Sequence, residues 1–193
     1  VILDEGTLHN AGTLSRITQK GGQSFNTATV HTLLLSRGTF KGSVEDTNAL
    51  ARIDDVYYPY LEDAMQAASK AQEDVTVTLN NDVVVGDDLI LDNASHLLTL
   101  DLDEHRLDGG AITCDHDTMI VNGTIGNNVV NKGTLKANAT FEQNVTNTGT
   151  FMLDGHVKGT ITNSEKLTVN GSANEVVNTR SLTNEGIIAA IHQ

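Results

Sequence analysis

Tryptophan is absent from this sequence, proline and cysteine occur once each, and 12 Lys and Arg stand against 25 Asp and Glu, a formal charge of −13 over 193 residues. Each shortage closes a class of function. Nucleic-acid binding needs a basic footprint that displaces counterions from phosphates, and none is present. Anionic membrane surfaces are disfavoured for the same reason. A lone Cys114 admits no intrachain disulfide and no Cys-x-x-Cys metal or redox motif; beside Ile112 it reads as a small buried hydrophobe. Aromatic residues make up 4% of the chain, too few for a wide layered core. Val, Ile, Leu and Thr dominate instead, as in narrow, closely stacked strands. A ladder that uses both edges of every strand also explains the scarcity of proline, which would delete an amide donor. No secretory leader and no bilayer-spanning apolar run is visible. The chain opens at Val1 without an initiator methionine, which reads as a piece of a longer protein.

What is abundant is self-similarity at a fixed period, the signature of repeat architectures. Val129-Val130-Asn131-Lys132-Gly133-Thr134-Leu135 aligns with Val145-Thr146-Asn147-Thr148-Gly149-Thr150-Phe151, then with Ile161-Thr162-Asn163 and Val176-Val177-Asn178, at offsets of 16, 16 and 15. Apolar columns run through Val129, Val145, Ile161 and Val176, through Leu135, Phe151, Leu167 and Leu182, and through Phe141, Val157, Ala173 and Ile188. Such a period is too short for helix pairs and fits one coil of a β-solenoid, with rungs about 4.8 Å apart. Stacking then places Asn131, Asn147, Asn163 and Asn178 above one another, and an amide ladder is expected there. Gly133 and Gly149 are expected to supply positive φ at the following corner.

Outside the regular coils, residues 1–48 carry echoes such as Asn10-Ala11-Gly12-Thr13-Leu14, read as the last coils of a preceding unit with irregular spacing. Residues 49–60 read as a connector. Residues 61–72 are the one convincing helix, with Leu61, Ala64, Met65 and Ala68 on one face, Pro59 just before it and Glu62 and Asp63 at its positive end. A short helix at this place would cover the apolar end of the stack without extending the ladder. Coils follow over 73–193. The fold class is therefore all-β, a right-handed parallel β-helix of ~16-residue coils with one capping helix; the hand rests on the resemblance that follows.

The succession Arg52-Ile53-Asp54-Asp55, Tyr60-Leu61-Glu62-Asp63-Ala64, Asp74-Val75-Thr76-Val77-Thr78-Leu79, Leu100-Asp101-Leu102-Asp103-Glu104-His105 and Ile120-Val121-Asn122-Gly123-Thr124-Ile125 resembles the repeated β-helix modules of large bacterial surface proteins, over about residues 51–190. Asp103-Glu104 stands where those modules have Asn-Gly. The resemblance implies a pectate-lyase-like right-handed helix, display on the cell surface or in the secreted fraction, adhesion-type roles toward host or bacterial surface glycans or proteins, neighbouring domains in a longer chain, and no enzyme activity.

The carboxylates are the residues most able to carry chemistry. Asp101, Asp103, Glu104 and His105, and again Asp115, His116 and Asp117, lie 12–14 residues apart, close to one coil. On adjacent rungs Asp101, Asp103, Asp115 and Asp117 would offer the several oxygens that calcium takes; otherwise they are solvated turn residues. A lyase would also need a base, and Arg106 is the nearby candidate, a poor proton acceptor. No zinc, nucleophile-elbow or phosphate-loop motif occurs, so no catalytic residue and no cofactor is assigned. Sugar binding would need exposed rings, and Tyr57, Tyr58 and Tyr60 form the obvious cluster, read mainly as packing. The leading expectation is a non-catalytic structural or adhesive module; the alternative is a carbohydrate-binding or polysaccharide-lyase-like or hydrolase-like β-helix.

Overall fold

A computed structural model describes residues 1–93 and 95–193. The chain is a parallel β-solenoid with one short helix. In its longer, C-terminal part each coil contributes three short strands, and three faces stack seven rungs deep. The first face climbs from Val75 to Leu182. The second climbs from Val83 to Ile188. The third climbs from Leu89 to Ile191. The three apolar columns of the sequence are in register as expected, and they fill a core in which Phe141, Phe151, Ile161 and Leu167 have no exposure. Alternation in each rung follows from the strand period of two.

The coil length is not constant. Along the first face the stacked residues are Val75, Leu98, Thr118, Leu135, Phe151, Leu167 and Leu182, at spacings of 23, 20, 17, 16, 16 and 15. The surplus sits at corners, where a longer loop adds no rung. In the longest coil an aspartate precedes each strand. Asp74, Asp82 and Asp88 accept hydrogen bonds from the amides of Leu97, Arg106 and Ala111 at 2.8–2.9 Å, each at a strand entry of the coil above. Asn128 and Asn144 do the same for Asn144 and Thr160 further up.

The asparagine column is a buried ladder. Nδ2 of Asn131, Asn147 and Asn163 donates to Oδ1 of the residue above at 2.7, 2.6 and 2.7 Å. The same amides donate to corner carbonyls, Asn147 to those of Gly149 and Lys166 at 3.0 and 2.9 Å. The corner glycines act differently from expectation. Neither Gly133 nor Gly149 has positive φ; a Cβ on Gly149 would lie 2.1 Å from the Gly133 carbonyl oxygen. Close approach of stacked backbones, not left-handed geometry, excludes a side chain there.

The N-terminal part has its own small core of Ile17, Val30, Leu33, Leu35, Phe40 and Ala49. Its spacing is regular where irregularity was expected: Thr7, Gln23 and Thr39 stack at 16 and 16 residues, and only the second half of the last coil shortens to 14, Val30 over Val44. Asn10 donates to Asn26 at 2.6 Å, a shorter copy of the same ladder.

The connector forms an antiparallel hairpin, strands Ala51–Ile53 and Val56–Tyr58 around Asp54 with φ +50°. The second strand pairs antiparallel with Phe40 and Lys41, and the first with Val77, Thr78 and Leu79. One ladder therefore runs twelve strands deep from Thr7–Asn10 to Ser181–Asn184. The three successive antiparallel pairings reverse strand direction between the two parts. The interior also changes sides: Tyr57 packs on the N-terminal core, whereas Tyr58 and Ile53 pack on the C-terminal one. Phe40, buried, and Asp101, at the surface, are consequently members of one column. Reversing direction and side together keeps the same hand in both parts.

The helix spans Leu61–Ala68, shorter than the expected 61–72 because Ser69 ends it and the chain turns toward strand Val75–Leu79. Leu61, Ala64, Met65 and Ala68 are buried against the first coil.

Candidate binding site

The step between the two parts leaves a cleft of about 690 Å³, with the outer face of the N-terminal coils on one side and the hairpin turn on the other. His9, Phe25 and Lys41 are stacked outward positions of three successive rungs. The imidazole of His9 and the ring of Phe25 lie parallel, centroids 5.0 Å apart and planes 9° from coplanar. That separation matches the rung spacing, so the rings stack along the solenoid axis. One face of Phe25 is taken by His9, and the other is directed toward the rung of Lys41. The Lys41 ammonium sits 3.7 Å from the Asp55 carboxylate, and the Gly42 amide donates to the Asp55 carbonyl at 2.9 Å. Together these contacts hold the turn over the cleft. Thr27 and Ser43 add hydroxyls, and Asp54 a second carboxylate.

The chemistry of this wall is mixed. It offers an aromatic surface, one ammonium, two carboxylates and hydroxyls that both donate and accept. Sequence reasoning placed the candidate rings at the tyrosines. Tyr57 and Tyr58 are instead half-buried, each packed on one core, and burial together with the nearby Asp63 carboxylate holds the Tyr58 phenol above its ordinary pKa. Tyr60 is 52% exposed but stands alone at the helix start. The missed signal was the 16-residue spacing of His9 and Phe25, the same spacing that relates Gly6, Gly22 and Gly38.

The proposed calcium residues do not form one site. Asp101 stacks with Val121 at the exit of its strand, whereas Asp117 immediately precedes the entry of the strand above, Thr118–Ile125. The two turns are on adjacent coils as expected but at opposite ends of the four-residue Leu98–Asp101 rung, roughly 13 Å of strand apart. Asp101 is engaged in its own turn, accepting from the Asp103 amide at 3.1 Å and from Asn122 at 3.0 Å. Asp103 and Glu104 both carry positive φ, +46° and +69°, the backbone of a type I′ turn. The turn geometry suited to Asn-Gly is thus retained with less suited residues. Asp115 pairs with Lys132 at 2.9 Å. Among the described residues no group of three or more His, Cys, Asp or Glu is gathered as a metal site.

A second cleft, about 530 Å³, contains Asp74, His96, Asp115, His116 and Asp117. Three of these are engaged in the scaffold: His116 lies 2.6 Å from Asp92, Asp115 is held by Lys132, and Asp74 caps Leu97. Arg106, weighed as a base, is pinned to Asp108 at 2.5 Å and Glu142 at 2.7 Å. Those hydrogen bonds raise its pKa further, while Arg106 and then Lys158 lower that of Glu142. Cys114 is fully buried below Asn131 in the ladder column, and desolvation pushes its thiol up to about 12. No protein family, no curated protein and no solved structure matches the chain.

Proposed function

We propose that this chain is a non-catalytic structural and adhesive module of a secreted or cell-surface protein, a β-helix of the pectate-lyase-like type. It would act as a stiff spacer that carries a binding surface toward a surface glycan or protein. The observation behind this reading is the ladder. Twelve strands stack without a break across both cores, which gives a rod on the order of 50 Å at the β-strand spacing. Interior amide ladders and paired corner carboxylates resist slippage between rungs. The carboxylates that a lyase or hydrolase would need in partnership are separated or tied into the scaffold, as described above.

Two measurements on the intact chain test the proposal. Small-angle scattering should give an elongated particle of about that length. Incubation with polygalacturonate and with neutral plant and bacterial polysaccharides should release neither unsaturated products absorbing in the ultraviolet nor new reducing ends. Turnover of any of these polymers would overturn the non-catalytic reading, and a compact particle would overturn the spacer.

A further inference from the structure

We infer that the free edge of the strand Leu89–Leu91, beside the helix, is a docking site for an extended peptide segment. The segment alternates apolar and basic side chains and adds itself to the solenoid as a further strand. This gives the adhesive half of the reading above a protein partner and rests on it.

The lowest coil of the C-terminal part is covered unevenly. The helix packs on the strand Val75–Leu79 and on the hairpin. Among the described residues, the strands Val83–Val85 and Leu89–Leu91 pair only with the coil above. Successive residues of a parallel strand turn their backbone groups to opposite neighbours, which decides what is spare. The Leu89 amide donates upward to the Ala111 carbonyl at 2.8 Å. Leu89 and Leu91 therefore serve the ladder, and the amide and carbonyl of Ile90 point to the open edge. Val84 stands likewise, because the Val85 carbonyl accepts from the Gly110 amide above at 3.3 Å. The side chains of Val84 and Ile90 are 77% and 56% exposed, more than any other large apolar side chain described between residues 3 and 186. A row of spare backbone donors and acceptors on a sheet edge is matched by one kind of partner, another strand.

Room for that strand exists at Leu89–Leu91. A groove of about 350 Å³ separates this edge from the helix, lined by Met65, Leu89 and Ile90, by Gln66, and by the acids Glu62 and Asp92. Alternate side chains of an added strand would enter it and meet Met65 and Leu89, which calls for apolar residues at every second position. Charge selects the rest. Residues 82–92 hold four aspartates and no basic residue, and Glu62 adds a carboxylate from the helix. A second copy of this chain, with net charge −13, is repelled from such an edge, and so is any acidic segment. A basic segment is attracted. The acids thus guard the edge against self-pairing and leave it open to a strand of opposite charge.

The test titrates the whole chain, isotopically labelled, with three short end-capped peptides and follows its amide resonances. One peptide alternates valine and lysine, one alternates valine and glutamate, and the third is the valine–lysine peptide with every backbone amide N-methylated. The valine–lysine peptide should bind with a constant of about 1 mM or tighter, shift the Ile90 amide and slow its hydrogen exchange about tenfold. The other two should bind at least tenfold more weakly. Ile90→Pro deletes a donor that the ladder does not use, so the fold should survive while peptide binding falls tenfold or more. If that variant melts well below the parent, Glu62→Gln decides, a change at an exposed side chain that should weaken binding about threefold. Failure of the valine–lysine peptide to bind, equal binding of either other peptide, or parent-like binding by the deciding variant would each overturn the site. Protection of Ile90 by self-association of the chain, in place of the peptide, would do the same. The spacer reading is judged separately by scattering on the same preparation, so a rod that takes up no strand would discard this site and keep that reading.

Discussion

Replacing Asn147 by alanine tests whether the buried ladder carries stability, and its magnitude can be worked from the contacts. Asn147 accepts from Asn131 and donates to Asn163. Its removal leaves the Oδ1 of Asn163 without its ladder donor inside the core, a loss of about 1–3 kcal/mol for an orphaned buried acceptor. Asn131 loses one bond but keeps the Thr150 carbonyl at 2.8 Å, a further ~1 kcal/mol. The sum, about 3 kcal/mol, corresponds to a fall in Tm of roughly 6–12 °C for a chain of this size. Asn178→Ala is the control. It ends the ladder, and its loss leaves Asn163 still donating to the carbonyls of Glu165 and Ser181 at 3.1 Å each. The Arg180 carbonyl loses the Asn178 amide at 3.0 Å but belongs to an exposed residue that water can serve, so no buried acceptor is orphaned, and about 1 kcal/mol, ~2–4 °C, is expected. Thermal and urea unfolding followed by far-ultraviolet circular dichroism would measure both. Equal losses at the two positions, or a loss at Asn147 below that at Asn178, would refute the orphaned-acceptor argument.

Glu104→Gly should stabilise, since glutamate at φ +69° pays a left-handed penalty of about 1–2 kcal/mol that exceeds the extra freedom of glycine in the unfolded chain; a lower Tm would contradict this. Gly171→Ala should cost on the order of 2–3 kcal/mol because its Cβ would lie 2.0 Å from the Gly155 carbonyl oxygen, while Gly86→Ala, with nothing within 4 Å, should be neutral or gain slightly in the same melts. Cys114 should ignore a disulfide reagent in the native chain and react on denaturation. Its folded pKa is raised to about 12, so the unfolded state releases the thiol proton first. Stability should therefore fall as pH rises from about 9 through that value, with Tyr58 adding in the same direction, and Cys114→Val should flatten this alkaline limb. Millimolar calcium against chelator should leave Tm unchanged within about 1 °C, since the weak extracellular class of site finds its candidate carboxylates on opposite ends of a rung; a clear rise would restore the metal reading.

The upper coils were legible because identical side chains recur at nearly constant spacing. Asn131, Asn147, Asn163 and Asn178 announce both the period and their own partners. Below them the column continues as Cys114 and Leu91, which cannot make the amide contact, and corner insertions stretch the spacing to 17, 20 and 23. Neither identity nor period then survives, although the alternation Val75, Val77, Leu79 still marks a strand. The His9–Phe25 pair escaped notice for a different reason: a ring is conspicuous in a sequence, but the direction it faces depends on rung register. The reversal at the hairpin was beyond local reading, because Tyr57 and Tyr58 look alike and only the two cores between which they sit distinguish them.

The hairpin also constrains how such a chain can be cut and rejoined. Ala51–Tyr58 is shared property: removing it uncovers Phe40 on one side and leaves Val77 without its antiparallel neighbour on the other. Recombination that exchanges one part for another must therefore carry the segment whole and satisfy two fits at once, Tyr57 to the outgoing core and Tyr58 with Ile53 to the incoming one. Swaps with a breakpoint inside the regular coils, where every rung presents nearly the same surface to the next, face no such double requirement. Change in coil number should accordingly come more easily than change of partner at the joint.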